Sequence, residues 1–412
     1  MAETTMVRPS REVIVIGAGE VFRRCYVVGN SCLPADRRVR FAHVVDVAPQ
    51  NQLRSILSPE LVGGEFRSWQ LSHDFESSLR GLISQPELRN LPVLIATPTQ
   101  YHVPYAVVIL EEGHFIGIEK PIAASFDDLG TFEKLLMKHG TERIFLFAYY
   151  LLEKGLPLVV WTRRGHVDRF VANLVTFESS FPNWQEAHDA LGEVLKIYGV
   201  ILEGIGPAGC LDQRPWTLDP INGGNTVETF YHLMCLVDVI FGSECPISIQ
   251  DVRLARHTET IRMLVRKGIN VEDIAETLTW AKLQSGTGAQ IELIAAKYVP
   301  PRLHQRWVII ACERGLLKMD LEAQRLEIRA NSHFLSSTLR WPQRYATQFM
   351  LLTEKMDRPS LPIEDDILRR ALVQTLHIRE AGVLSGIASY QGEDIKPMYL
   401  SRELASNLVR TP

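Results

Sequence analysis

Two short constellations in this chain carry side chains that could do chemistry. The first is Glu119-Lys120-Pro121, directly after the apolar stretch 115–118. A lysine there brings a cationic donor to a strand end, where it can stabilise negative charge developing on an oxygen. Pro121 limits the backbone and can adopt a cis bond, which would fix the lysine direction. A lysine buried without a ligand would be costly, so an open cleft suits Lys120 better. The second constellation is Gly223-Gly224-Asn225-Thr226-Val227-Glu228-Thr229-Phe230-Tyr231-His232. Read as a helix from Asn225, it puts Glu228 and His232 four residues apart on one face. A histidine oriented by a carboxylate is a suitable general base near neutral pH. The two glycines are expected to leave the first amides of that helix accessible. A surface Glu–His pair on an amphipathic helix fits this segment equally well. A lysine donor combined with a histidine base suits hydride transfer to or from a sugar-like alcohol.

What would bring such an alcohol a hydride partner lies upstream. Gly17-Ala18-Gly19-Glu20-Val21-Phe22 falls between the first apolar strand and the helix that follows. Gly17 permits the tight turn, and Gly19 lets backbone approach a pyrophosphate at the helix N-terminus. Phe22 stands in the usual third-glycine place, so the fingerprint is incomplete and a purely structural turn would look much the same. Asp46 strengthens it by ending the second strand 27 residues past Gly19. A carboxylate there can accept from a ribose hydroxyl and would repel the 2′-phosphate of NADP, which favours NAD over NADP. Thr97-Pro98-Thr99-Gln100-Tyr101-His102 follows another strand and reaches the same carboxyl edge. Taken alone it is a proline-containing loop capping the next helix. Further on, Arg214-Pro215-Trp216 precedes the His232 helix and could lid a cofactor or sugar. A Trp packed in a seam beside a surface Arg is an equal alternative.

The elements that position these loops are short apolar strands alternating with amphipathic helices. Strands are expected at 12–16, 41–47, 92–96 and 115–118, with helices to Val28 and at 50–57, 77–82, 105–112 and 126–139. This alternation predicts a doubly wound parallel sheet. After about residue 144 the strands lengthen and alternate polar with apolar residues: 171–179, 194–203, 247–256, 275–284, 289–296, 307–312 and 316–320. Turns such as Ser285-Gly286-Thr287-Gly288 join them directly, as in an open, mainly antiparallel sheet with one solvated face. Helices are expected at about 225–241 and 363–381. The division predicted is a nucleotide-binding α/β domain over 8–144 and an α+β domain over 145–412, whose C-terminal helix can pack back on the first.

Composition narrows the partners. At 412 residues the chain fits two domains, and its 46% hydrophobic and 22% charged residues can build sizeable cores. A formal charge of −4 with dispersed Lys and Arg gives no electrostatic reason to expect nucleic acid or an anionic membrane. The six cysteines, Cys25, Cys32, Cys210, Cys235, Cys245 and Cys312, form no CxxC and no metal-ligand spacing, so no metal is expected. The first residues lack the apolar core of a signal peptide, and the apolar runs fall short of the roughly 20 residues a membrane span needs. A cytosolic protein is expected.

The order of motifs resembles the glucose–fructose oxidoreductase / inositol dehydrogenase (Gfo/Idh/MocA) family along almost the whole chain. The matching pieces are Gly17-Ala18-Gly19, Asp46, Thr97-Pro98 with His102, Glu119-Lys120-Pro121, Gly192-Glu193-Val194, Arg214-Pro215-Trp216, and Gly223-Gly224 with His232. The ending is similar too: Pro359 to Pro362, Glu364-Asp365, then a long helix. The resemblance implies a Rossmann domain followed by an open-faced sheet domain, with homo-oligomers often formed through that sheet. It implies a small sugar-like substrate such as a pyranose, cyclitol or related polyol. It places Lys120 on the reacting oxygen and gives His232 its proton, with Glu228 beside it and Arg214 and Asn225 toward the substrate. It puts Gly17, Ala18, Gly19, Glu20, Val21, Asp46, Thr97, Pro98, His102, Glu119, Lys120 and Trp216 around the cofactor.

Three departures stand out. Phe22 replaces a small residue, Glu228 stands where the family has Asp, and 147–191, with Tyr149-Tyr150 and Trp184, lacks a clear counterpart. An amino or phosphorylated sugar would suit an altered pocket. Two other readings compete. The family includes NAD(P)-binding sensors without turnover, which an absent Lys120 or His232 would have favoured. A glucose-6-phosphate dehydrogenase-like enzyme shares the Glu-Lys-Pro element, but its Asp-His-Tyr-Leu segment is only echoed by Ala148-Tyr149-Tyr150-Leu151.

Overall fold

Val13-Ile14-Val15-Ile16 is a run of β-branched residues with no exposed face, which suits a strand covered on both sides. In the computed structural model it ends β1 (Arg11–Ile16), near the centre of a six-stranded sheet. The structure describes residues 11–72, 74–147, 175–179, 189–204, 215–323, 325–330, 333–339, 344–360 and 365–391. The other strands of this sheet are β2 (Val39–Asp46), β3 (Arg67–Gln70), β4 (Val93–Ile95), β5 (Ile116–Ile118) and β6 (Ile144–Leu146). Their order is β3-β2-β1-β4-β5-β6, and every neighbouring pair is parallel. The order reverses between β1 and β4, and the crevice outside the carboxyl ends at such a point is where ligands bind in open α/β sheets.

Between the strands run a π-helical turn (Phe22–Tyr26) continuing into α1 (Val27–Ser31), α2 (Gln50–Ile56), α3 (Pro59–Val62), α4 (Phe75–Ile83), α5 (His102–Glu111) and α6 (Phe126–His139). Local signals set their ends. In α6 the Ser125 hydroxyl accepts from the Asp128 amide, Asp127 and Asp128 face the positive helix end, and Gly140 closes it at φ 75°. Phe22, in the expected place of a small residue, is fully buried and packs edge-on against Phe41 with ring centres 5.1 Å apart. Its side chain thus serves the core of this unit.

The second sheet holds β7 (Val175–Ser179), β8 (Val194–Glu203), β9 (Ile247–His257), β10 (Leu278–Ser285), β11 (Gln290–Lys297), β12 (Gln305–Cys312), β13 (Gly315–Asp320), β14 (Arg325–Ala330), β15 (His333–Leu339) and β16 (Ile387–Tyr390). The order is β16-β9-β10-β11-β8-β12-β13-β14-β15-β7. Most pairs are antiparallel, as expected, but β8 with β11 and β9 with β16 are parallel, so direct hairpin connections do not account for the whole sheet. The helices of this unit are a π-helical turn (Thr226–Phe230) leading into α7 (Tyr231–Phe241), α8 (Thr258–Arg266) and α10 (Asp365–Ser385). Gly199 on β8 leaves room for Leu233 of α7.

Two compact units result. One runs to Tyr149 and takes up Pro342–Asp365; the other holds Tyr150–Trp341 and the residues from Asp366 onward. The helix that returns to the first unit is therefore α9 (Arg344–Asp357), not the long C-terminal one. Its Tyr345, Phe349 and Leu352 complete a core with Phe22, Tyr26, Phe41 and Phe147, and Gly29 has no room for a side chain against Tyr345. The C-terminal helix α10 belongs to the second unit, where Arg370 grips Asp238 of α7 at 2.7 and 3.0 Å and Tyr231 donates to the Leu368 carbonyl. Among the described residues, no helix is long and apolar enough to cross a membrane.

Candidate functional site

The turn after β1 and the loop after β4 meet at the strand-order reversal. Gly17 has φ 97°, and a Cβ there would lie 2.5 Å from the Ala96 carbonyl oxygen. Only glycine allows that approach. Gly19, by contrast, is exposed, with nothing within 4 Å of where its Cβ would be. Space is open in front of it, at the head of a helix whose first N–H groups have no intrahelical partner. Asp46 closes one side: its Oδ2 accepts from the Ala18 amide at 2.6 Å and its Oδ1 from the Ala48 amide at 2.9 Å. Each oxygen keeps a lone pair for a further donor such as a ribose hydroxyl. Open space at Gly19 at the head of a helix, with a carboxylate beside it, leaves room for a dinucleotide. Gly17, Ala18, Gly19 and Asp46 are thus brought together, with Glu20 and Val21 partly exposed in the first helical turn. Glu20 also pairs with Arg24 at 2.8 Å.

The same edge carries an aromatic group that sequence reasoning missed. Tyr101 stacks on Tyr105 at 5.7 Å, and Phe75 meets Tyr105 edge-on at 5.0 Å. Burial, then the neighbouring Tyr101 and Asp46, push the Tyr105 hydroxyl up to about 12. A Tyr at i and i+4 across a helix start was the available signal.

Two residues expected to contact a cofactor do otherwise. His102 is buried, and its two ring nitrogens reach the Thr97 and Pro121 carbonyl oxygens, so its ring ties two loops together. Glu119 is 3% exposed and turns into the core. Its Oε2 accepts from the Lys120 amide at 3.1 Å, while Oε1 and the nearby Tyr26 hydroxyl are both buried short of hydrogen-bond geometry. Burial pushes this carboxyl up to about 7, against the pull of Lys120 and Tyr26. Thr97, Pro98 and Lys120 remain partly exposed at the sheet edge, and the Lys120–Pro121 bond is cis.

In the second unit the glycine-led helix starts as expected, with Gly223 and Gly224 at φ 82° and 63°. Its first amides are not accessible, however. Thr226 N and Oγ1 donate to the Glu276 carboxylate at 3.1 and 2.6 Å, Asn225 N donates to the Glu276 carbonyl, and a Cβ on Gly224 would strike that carboxylate. The protein's own acid thus caps the positive end of the helix. Asn225, expected toward substrate, is fully buried and donates to the Ala295 carbonyl and Thr279 hydroxyl, which fastens the helix start to the sheet. Glu228 is partly exposed and pairs closely with the Lys297 ammonium. Lys297 is 5% exposed at the end of β11, and a lysine so buried needs such a partner. A lysine inside the apolar run Leu293 to Val299 was the missed signal. His232 lies one turn beyond Glu228 and is buried. Trp216 sits, partly exposed, in a short 3-10 turn (Pro215–Leu218) of this unit. Arg214, Tyr149, Tyr150, Trp184 and most of 147–191 lie outside the described residues. No group of three His, Cys, Asp or Glu side chains that could hold a metal is found among the described residues.

No protein-family model matches the sequence, and no curated protein does. Solved structures do. KijD10, a 3-ketoreductase from Actinomadura kijaniata solved with NADP and TDP-benzene, is 13% identical over 93% of this chain and 99% of its own, with a TM-score of 0.65. An aldose-aldose oxidoreductase from Caulobacter crescentus, complexed with glycerol, is 16% identical over 91% and 98%, with a TM-score of 0.64. The likeness establishes the fold: a Rossmann-like parallel sheet and a second, mostly antiparallel one.

Proposed function

We propose that this chain is a nicotinamide-dependent oxidoreductase of the Gfo/Idh/MocA kind. It moves hydride between the cofactor and a secondary alcohol or ketone of a sugar, amino sugar or cyclitol. The observation that carries the reading is the Asp46 carboxylate bonded to the Ala18 amide beside open space at Gly19, at the strand-order reversal, with Lys120 following the next strand at the same carboxyl edge. The Gly17 and Ala18 amides are taken by the Val45 carbonyl and Asp46, so these two would line the pyrophosphate while the backbone of Gly19, Glu20 and Val21 holds it, and Asp46 the ribose. NAD is preferred because a carboxylate there repels a 2′-phosphate, although KijD10 was solved with NADP.

The bound nicotinamide supplies the hydride acceptor. Lys120 donates to the substrate oxygen as negative charge develops on it, and His232 accepts the hydroxyl proton. Glu228, held by Lys297, accepts from a neighbouring substrate hydroxyl. Self-association through the second sheet belongs to the same reading.

The test is reduced-nicotinamide absorbance with purified protein, NAD or NADP, and a panel of sugars, amino sugars, sugar phosphates and inositols. Turnover that is lost in His232→Ala is expected. Tight NAD binding without turnover across the panel would move the reading to a sensor, and no cofactor binding would end it.

A further inference from the structure

His102 stands where the loop after β4 meets the loop after β5. Its Nδ1 lies 2.7 Å from the Pro121 carbonyl oxygen and its Nε2 2.8 Å from the Thr97 carbonyl oxygen. Both partners are carbonyls, which accept and cannot donate. A neutral imidazole has one N–H, so it would satisfy one contact and aim a lone pair at the other oxygen. The imidazolium alone donates from both nitrogens. We infer that His102 is a positioning residue: as an imidazolium it ties the Thr97-Pro98 loop to the Glu119-Lys120-Pro121 loop and so fixes where Lys120 stands.

Pro121 follows Lys120 directly, so the carbonyl His102 holds is one residue from the lysine. A displacement of about 1 Å at such a loop can lower a rate about 100-fold. The titratable groups on the surrounding elements are Asp46 at the end of β2, Tyr101 and Tyr105 flanking the start of α5, and Glu119 and Lys120 on the second loop. Lys120 opposes an imidazolium there, and Glu119, whose burial pushes its carboxyl up to about 7, offsets it only above that pH. His114 supplies an internal contrast. Its nitrogens also face two carbonyls, Leu91 at 2.8 Å and Ile83 at 3.2 Å, but it precedes β5 at the opposite edge of the sheet.

The role of Lys120 in turnover rests on the proposed function; the tie itself does not, and its test needs no substrate. Histidine-¹⁵N NMR of the full chain at pH 7.5 should show both His102 ring nitrogens in the N–H-bearing range. One bare nitrogen would overturn the inference. With ¹³C-lysine labelling, the Lys120 side-chain signal, assigned through Lys120→Arg, should move to the position of an unrestrained lysine in His102→Gln and stay put in His114→Gln. A signal unmoved in His102→Gln, or moved equally in both variants, would reduce His102 to packing. Should His102→Gln fail to fold, His102→Asn replaces it. If turnover is found, His102→Gln should lower kcat about 10–100-fold with the NAD Kd changed less than about threefold. Absent turnover with both NMR results positive would count against the function and in favour of the tie.

Discussion

Around Lys120 the first unit holds its loops through main-chain groups: Asp46 accepts from the Ala18 and Ala48 amides, and His102 reaches two carbonyls. Around Glu228 the second unit uses opposite charges. Lys297 pairs with Glu228, Arg370 grips Asp238, and Arg379 lies 3.6 Å from Glu276. The buried acid of the first unit, Glu119, has tyrosine hydroxyls rather than a full ion pair beside it, and burial pushes its carboxyl up to about 7. Main-chain dipoles can fix a loop without pairing a charge, and here they hold the turn and the two loops that end at the sheet edge. Ion pairs fix both, so the second unit presents a carboxylate of settled position.

Substitutions can break or sharpen that contrast. The largest effect expected is on Lys120→Ala, with kcat down about 10²–10⁴-fold and the NAD Kd changed less than about threefold. Equal losses in both, by steady-state kinetics and titration, would make this edge a binding surface alone. Next, Lys297→Met leaves Glu228 without its cation and should destabilise by about 3–5 kcal/mol in urea unfolding. Adding Glu228→Gln should recover most of that loss; failure to do so would show that Lys297 acts by packing.

Glu119→Gln tests the buried acid. A raised folded value means that the native state keeps its proton longer than the unfolded chain does. Wild-type stability therefore falls, relative to the variant, as pH rises from about 4.5 to about 7, and levels off above. The gap should be on the order of 3 kcal/mol. Parallel curves from urea unfolding at several pH values would remove Glu119 from this account. The smallest effect is Asp46→Ala, which should relax discrimination against NADP about tenfold, near 1.4 kcal/mol. An unchanged NAD/NADP ratio would take Asp46 out of the ribose site.

The same contrast explains what was legible beforehand. Gly17, Asp46, Thr97 and Lys120 each follow a short apolar strand, and parallel order carries such strand ends to one edge. Their convergence could therefore be read from the pattern alone. Glu276 and Lys297 meet Thr226 and Glu228 from 50 and 69 residues away, through strand registers that no local pattern encodes. So the Glu–His spacing was readable, whereas the acid capping the helix and the cation on Glu228 were not. Strands β14 and β16 escaped for a related reason. Arg-Leu-Glu-Ile-Arg-Ala and Ile-Ala-Ser-Tyr are short and polar enough to pass for connections. Helix α9 had its apolar spacing in Tyr345, Phe349 and Leu352, but nothing nearby said which core it completes.

That helix also dictates when the first unit can exist. Phe22, Tyr26, Phe41 and Phe147 wait for Tyr345, Phe349 and Leu352, which emerge about 200 residues later. At roughly 5–20 residues per second of synthesis, the nascent first unit stays incomplete for roughly 10–40 s, while most of the chain of the second unit is made. The first unit to begin is thus closed only after most of the second has been made, and a fragment ending at residue 147 would lack the aromatic side chains that complete its core.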